Sequence, residues 1–301
     1  MTEHPSGYTV AVLGLGAMGV PMATRLATGL RVTGYDVADA RLALARDAGV
    51  ETAGTARAAV TGADAVLLAV RNGAQLDEVL FGDAGIAGSL APGAVVLVTS
   101  TVGTDAVLTA AARLGEAGVD IVDAPLSGGP VRAGRGDLLV VVGATPAARE
   151  RARPVLDLLA STLTVVGDRP GDGQALKTVN QLLCGIHIAA AAEALALAEA
   201  LGLDREATLA ALTAGAAGSF MLGDRGPRML HEPGEAADVF SRLDIFVKDL
   251  GIVGDAAREA SVPTPVAAAA EQLFRLGAAA GLAAADDSAI IDVMRPADRR
   301  P

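Results

Sequence analysis

The chain has 301 residues, 51% of them apolar, with no tryptophan, two tyrosines and five phenylalanines. The formal net charge of −11 argues against a nucleic-acid partner held by its phosphates, and the shortage of aromatic side chains argues against a stacking platform for bases or sugars. Length and apolar content suit two folded domains rather than a disordered chain.

Residues 1–8 are polar and lack the apolar core of a leader peptide. The first predicted element is an apolar strand over 9–13. It runs into Gly14-Leu15-Gly16-Ala17-Met18-Gly19, a helix follows over about 18–28, and a second strand over 31–35 ends in Asp36, 22 residues beyond Gly14. Strand, glycine turn, helix, strand and acid in this order read as a dinucleotide-binding unit rather than a plain strand–turn–helix. Gly14 permits the turn, Gly16 lets a pyrophosphate approach the backbone, and Gly19 lets helix and strand close together. The pyrophosphate is expected on the helix N-terminus near Ala17 or Met18, where free N–H groups point outward. Pro21 sits in the first turn, where its missing N–H costs nothing. Asp36 is suited to the adenosine ribose hydroxyls and would repel a 2′-phosphate, which favours NAD over NADP. Arg41 nearby is either a phosphate ligand or, as the plainer reading, a solvated helix residue.

Apolar runs at 64–70, 94–98, 119–122, 138–142 and 162–166 predict further strands, with helices at about 38–48, 74–81, 104–117 and 146–160. Several runs are continuous rather than alternating, as in a parallel sheet covered on both faces. After residue 168 no strand is predicted. Gly171-Asp172-Gly173 opens a helix over 174–201, and further helices fit 204–214, 238–260, 264–279 and 286–294. The fold class is therefore α/β: an N-terminal doubly wound Rossmann-type sheet over 1–167, then an all-helical domain over 168–301. The 174–201 helix is apolar nearly all round and is expected to be buried, between the domains and against a second subunit, giving a homodimer or homotetramer. His187, Glu193 and Glu199 interrupt it, which argues against a membrane span. With Cys184 alone no intrachain disulfide is possible, and the cytoplasm is the simplest compartment.

Three later segments can carry chemistry. Asp123-Ala-Pro-Leu-Ser127-Gly128-Gly129-Pro130 follows a strand, so it lies at the carboxyl edge of the sheet. Ser127 with the backbone of Gly128 and Gly129 either forms an anion nest for a carboxylate or is a plain turn. Lys177 and Asn180 are three residues apart and share a helix face. Partial burial and the helix dipole would lower the pKa of Lys177 and suit it to proton transfer, the alternative being a surface lysine. Lys248-Asp249 reads on its own as a solvated step. His4, His187 and His231 lack ligand partners at useful spacing, so no metal site is expected.

Taken together these segments resemble the β-hydroxyacid dehydrogenase family, which includes 3-hydroxyisobutyrate dehydrogenases and tartronate semialdehyde reductases. The resemblance is carried by Gly14–Gly19 with Pro21-Met22, by Asp123–Gly129, by Gly173–Gln181 and by Lys248-Asp249. Within that family, 180–193, 216–219, 244–251 and 286–289 are most similar to the L-threonate dehydrogenase branch. Two stretches depart from the pattern. Ala69-Val70-Arg71-Asn72 replaces an apolar-Pro step, and Phe220-Met221 stands where a tryptophan or similar bulk is usual.

The resemblance implies a role for each matching position. Gly14, Leu15, Gly16, Ala17 and Met18 would hold the pyrophosphate, and Asp36 the ribose. Val70, Arg71 and Thr101 would line the nicotinamide side, and Lys248 would contact the cofactor. Ser127, Gly128 and Gly129 would bind the substrate carboxylate. Lys177 would be the general acid/base, and Asn180 would orient the substrate or that lysine. The implied activity is NAD-dependent oxidation of a small (poly)hydroxy carboxylic acid such as L-threonate. The rival readings are a 3-hydroxyisobutyrate or glycerate-type dehydrogenase, an imine reductase of the same architecture, and a non-catalytic nucleotide-binding protein.

Overall fold

The computed structural model describes residues 7–232 and 238–295; His4 lies outside them. The chain divides into two compact units, one ending at Lys177 and the other beginning at Thr178.

The first unit holds strands β1 (Thr9–Leu13), β2 (Arg31–Tyr35), β3 (Glu51–Thr52), β4 (Ala65–Leu68), β5 (Val95–Val98), β6 (Asp120–Asp123), β7 (Leu126–Ser127), β8 (Leu138–Gly143) and β9 (Ala160–Gly167). Its helices are α1 (Gly19–Leu26), α2 (Asp39–Asp47), α3 (Ala56–Val60), α4 (Gly73–Phe81), α5 (Thr104–Gly115), α6 (Gly129–Arg135) and α7 (Pro146–Leu159). The strands form one sheet in the order β3-β2-β1-β4-β5-β6-β8-β7, with β9 beside β8. From β3 to β6 every pairing is parallel, which is the doubly wound order with its reversal between β1 and β4, where such sheets bind ligands.

The doubly wound sheet is parallel over most of its width and mixed at its far side. There β8 runs antiparallel to β6 and β7, and β9 returns parallel to β8.

Side chains leave a strand alternately to its two faces, and this sorts the apolar runs into two cores. Val10, Val12, Leu67, Leu97 and Val122 face α1 and α7. Ala11, Leu13, Leu68, Val98 and Ile121 face α3, α4 and α5. Each fully buried leucine among them contributes about 1.5–3 kcal/mol. The strand β9 differs. Leu163, Val165 and Val166 are exposed along it, where cover on both faces was expected.

Helix α8 (Asp172–Ala200) spans the division between the units. The second unit continues with α9 (Arg205–Ala214), α10 (Phe220–Met229), α11 (Leu243–Glu259) and α12 (Pro265–Gly277), then a 3-10 turn at Asp287–Val293. Its core takes Ile188, Ala192 and Leu195 from α8, with Leu243, Phe246, Leu250 and Val253 from α11 at helical spacing. Phe246 stacks on Phe274 of α12 with ring centroids 5.2 Å apart.

By length and composition α8 is long and apolar enough to cross a membrane, and half of its most apolar window is buried in the protein. Within the single chain Leu176, Val179, Leu183 and Leu197 of α8 are 40–61% exposed. The predicted 238–260 helix starts only at Leu243. The N–H groups of Phe240 and Ser241 donate instead to the Asp286 carboxylate, which holds the chain extended there. Helix α10 was not predicted. Its start is marked by Ser219, whose hydroxyl accepts the N–H of Leu222.

Candidate active site

The loop after β1 is shaped by backbone demands. Gly14 has φ of 93°, and a side chain there would overlap the carbonyl of Ala69 at 2.4 Å. A Cβ at Gly19 would lie 1.8 Å from the Gly14 carbonyl. Gly16 differs: a Cβ there would meet nothing within 4 Å. The protein itself does not require glycine at 16, and the space beside it is what a pyrophosphate needs. Met18 precedes the first helical residue, Ala17 is exposed, and Leu15 is fully buried with only its backbone toward the loop.

Asp36 reaches back to this loop. One carboxylate oxygen accepts the Leu15 N–H at 2.7 Å and the other accepts the Ala38 N–H at 2.9 Å. A carboxylate oxygen has more than one acceptor position, so capacity remains for a ribose hydroxyl. Arg41 is exposed on α2.

After β4, Val70 is half-buried and Arg71 exposed. Asn72 caps α4 by accepting the Gln75 N–H, and Gln75 Oε1 accepts the Arg71 N–H. This reciprocal pair, close to a capping box, gives the departure at 69–72 its own means of fixing the loop. Thr101 is half-buried in the loop after β5.

Ser127 sits on β7, paired opposite Leu139 of β8. Gly128 and Gly129 follow with φ of 141° and 74°, and α6 starts there. Lys177, on α8, is only 7% exposed, and its Nζ donates to Ser127 Oγ at 3.0 Å. Two residues 50 apart in sequence, proposed separately from it, are thus in contact.

Asp123 and Gln174 received no role from the sequence. Both are fully buried and bonded to each other. Burial pushes the Asp123 carboxyl above its ordinary value, and hydrogen bonds from Gln174, Gly171 and Gly173 work the other way. Gly173 must lack a side chain, since a Cβ would lie 2.8 Å from Asp123 Oδ2.

In the second unit Asn180 is half-buried. Its Nδ2 donates to Gln181 Oε1 at 2.9 Å and to Cys184 Sγ at 3.4 Å. Gln181 Nε2 donates in turn to Asp249, and Lys248 Nζ donates to the other oxygen of that carboxylate. Asn180 and Lys248 are therefore ends of one hydrogen-bonded chain through Gln181 and Asp249, two buried residues the sequence reading passed over. Phe220 is 73% exposed at the start of α10. Among the described residues no group of three or more His, Cys, Asp or Glu side chains is placed to hold a metal ion. His231 is engaged with Asp292 and the Arg228 carbonyl.

Comparison with known proteins agrees with this layout. Residues 9–167 match the family described as the NAD binding domain of 6-phosphogluconate dehydrogenase. Residues 171–294 match that described as NAD-binding of NADP-dependent 3-hydroxyisobutyrate dehydrogenase. The L-threonate dehydrogenase of Pectobacterium atrosepticum is 38% identical over 97% of this chain and 95% of its own length. The 2-(hydroxymethyl)glutarate dehydrogenase of Eubacterium barkeri is 34% identical over 94% of each. A crystal structure of 3-hydroxyisobutyrate dehydrogenase from Salmonella typhimurium superposes with a TM-score of 0.86 at 36% identity, covering 95% of this chain and 99% of that one. Glycine loop, helical second unit and matched relatives together establish that the chain belongs to the NAD-binding β-hydroxyacid dehydrogenase family, with 3-hydroxyisobutyrate dehydrogenase and L-threonate dehydrogenase among its members.

Proposed function

We propose that the protein oxidises the hydroxyl of a small polyhydroxy carboxylic acid, L-threonate being the first choice, with NAD as acceptor and Lys177 as the proton-transfer group. The observation that carries this reading is the buried Lys177 amine, 3.0 Å from Ser127 Oγ. A small acid held by its carboxylate at Ser127, Gly128 and Gly129 would present its hydroxyl to that amine. Bound nicotinamide supplies the hydride acceptor. Lys177 in its neutral form takes the hydroxyl proton as the C–H electron pair leaves carbon, so C–OH becomes C=O and the lysine ends as an ammonium. In the reverse direction the ammonium returns the proton to the carbonyl oxygen. General acid/base transfer of this kind contributes about 10²–10⁴-fold, and fixing the substrate by its carboxylate adds the benefit of orientation.

Gly14, Leu15, Gly16, Ala17 and Met18 would hold the pyrophosphate, and Asp36 the ribose, with NAD preferred over NADP. Val70, Arg71 and Thr101 would border the nicotinamide, and Lys248 would contact the cofactor. Asn180 would orient substrate or lysine through its side-chain amide. The exposed stripe of Leu176, Val179, Leu183 and Leu197 on α8 supports a homodimer or homotetramer, and the cytoplasm is the compartment this reading assumes.

The relatives' names span several acids, so the substrate is the point to test. NADH formation at alkaline pH would be followed with L-threonate, D-erythronate, 3-hydroxyisobutyrate, D-glycerate and 3-hydroxypropionate, and repeated with NADP. A large preference for L-threonate with NAD is the expected result. Preference for another acid would keep the chemistry and discard L-threonate. Silence on every acid with intact NAD binding would overturn the reading in favour of an imine substrate or a non-catalytic role.

A further inference from the structure

Three segments of the first unit meet at one side chain. They are the loop after β5, which carries Thr101, the end of β6, and the first turn of α8, one turn before Lys177. The side chain is Gln174. Its Oε1 accepts the N–H groups of Val102 at 2.9 Å and Gly103 at 3.2 Å. Its Nε2 donates to the Ser100 carbonyl at 3.0 Å and to Asp123 Oδ1 at 2.8 Å. A carboxamide has two acceptor positions and two donors, and all four are used. Asp123 Oδ2 accepts the N–H groups of Gly171 at 3.0 Å and Gln174 at 2.8 Å, so it caps α8 from another element.

The arrangement permits only one orientation. Turning the amide over would set its NH2 against two N–H donors and its oxygen against a carboxylate and a carbonyl. Buried mismatches of that kind are costly. An apolar residue at 174 would fill the space without defining how α8 sits against the loop. Lys177 lies three residues further along the helix, on the same side as Gln174.

We propose that Gln174 and Asp123 are positioning residues for the reaction, locking the helix that carries Lys177 to the loop that carries Thr101. This deepens the reading given under Proposed function and rests on it. A misplacement of about 1 Å between reacting groups can cost about 100-fold in rate, so a lock of fixed polarity at this junction sets kcat more than substrate affinity.

The test uses the polarity of the contact. Gln174→Met keeps length and removes all four bonds. Asp123→Asn sets an NH2 against the Gln174 NH2. Gln174→Glu sets two carboxylates together, which fits only while the pair holds a shared proton. The double variant Asp123→Asn with Gln174→Glu restores a donor facing an acceptor. Expected results are a kcat lowered about 100-fold in Gln174→Met with the KM for the acid changed far less, and a loss in Asp123→Asn partly recovered in the double variant, which regains the contact at 123 but sets a carboxylate oxygen against the Ser100 carbonyl. Gln174→Glu alone should be active at mildly acid pH and fade as the pH rises, relative to wild type.

Two readouts do not depend on turnover: amide hydrogen exchange of Val102 and Gly103, and NADH affinity by fluorescence titration. In Gln174→Met both amides should exchange faster, and NADH should bind more weakly. A merely structural pair would lower Tm and leave kcat, the pH profile and the double-variant rescue unmoved below the transition; that result overturns the proposal. If the single variants do not fold, the double variant and the exchange rates of the wild-type amides still decide, since rapid exchange at Val102 and Gly103 in the native protein would also overturn it. If wild type turns over no hydroxy acid, the functional reading fails, and exchange and NADH affinity continue to report on the lock alone.

Discussion

Lys177 Nζ lies 3.0 Å from Ser127 Oγ, a contact between the first turns of α8 and a two-residue strand at the sheet's carboxyl edge. The serine hydroxyl can accept from the amine or donate to it, so this contact holds in either protonation state. Replacing Lys177 with alanine should therefore lower kcat by about 10²–10⁴-fold with NAD binding near normal, by steady-state kinetics and a binding titration. Normal turnover in that variant would end the proposed role.

Ser127→Ala should cost less. It removes one hydrogen bond to the amine, worth about 1.5–3 kcal/mol where the partner is charged, or roughly 10–100-fold in kcat/KM. The loss should show in kcat/KM for the acid and leave the NAD dissociation constant unchanged. A change in NAD affinity of the same size would mean that β7 had shifted.

Gly16 and Gly19 should separate binding from folding. A methyl at Gly16 meets no atom of the protein, so Gly16→Ala should melt like wild type yet bind NAD poorly. A methyl at Gly19 runs into the Gly14 carbonyl, so Gly19→Ala should lower Tm through overpacking that costs about 1–3 kcal/mol. Calorimetry and NAD titration on both variants check this pair, and equal melting temperatures would count against it.

Asp36 ties the glycine loop to β2 through the Leu15 N–H, and in the proposed reading it would also hold the ribose. Asp36→Ala should weaken NAD about tenfold or more, since a bond to a charged group contributes about 1.5–3 kcal/mol. Asp36→Asn keeps an acceptor for the Leu15 N–H and gives up the charge, so its loss should be smaller and NADP should begin to compete. Titrations with both dinucleotides would tell, and identical losses in the two variants would contradict a separate structural share.

His231 gives the second unit a pH-dependent element. The hydrogen bond to Asp292 raises its pKa above the ordinary 6.5, burial opposes that, and the Arg228 carbonyl adds to it. A raised folded pKa contributes stability that is complete below the unfolded value and is lost as pH rises through the folded one. Tm should therefore fall from pH 6.5 upward by more in wild type than in His231→Gln. Parallel Tm profiles would remove the histidine from the account.

How much of this was legible in the sequence depends on where each partner lies. The central strands were readable because burial on both faces turns them into unbroken apolar runs, as at Val95–Val98. The short β3 and β7 were not, since two residues carry no period. Helix α6 was hidden by Gly129, Pro130 and Gly134, which read as a turn, although Gly128 and Gly129 were noticed for another reason. The glycine loop was legible because backbone demand leaves glycine as its mark. The Asp123–Gln174 bond was not, because its partners are 51 residues apart and each alone looks like an ordinary polar residue. The same holds for the Asn180–Gln181–Asp249–Lys248 chain, whose ends were named and whose middle was not.

The strand β9 has a consequence for handling the protein. Its eight residues, Ala-Ser-Thr-Leu-Thr-Val-Val-Gly, carry no charge and no proline, and it pairs only with β8, leaving its other edge without a strand among the described residues. Natural sheets usually guard such an edge with lysine, proline or a bulge against unwanted pairing between chains. Here lysine and proline are absent, and the strand relies on two register irregularities against β8, at Ser161 and Val166, which leave Thr162–Val165 between them as a regular stretch. Where β9 is left uncovered, concentrated solutions should aggregate edge to edge, and a single lysine at Val165 should keep them clear.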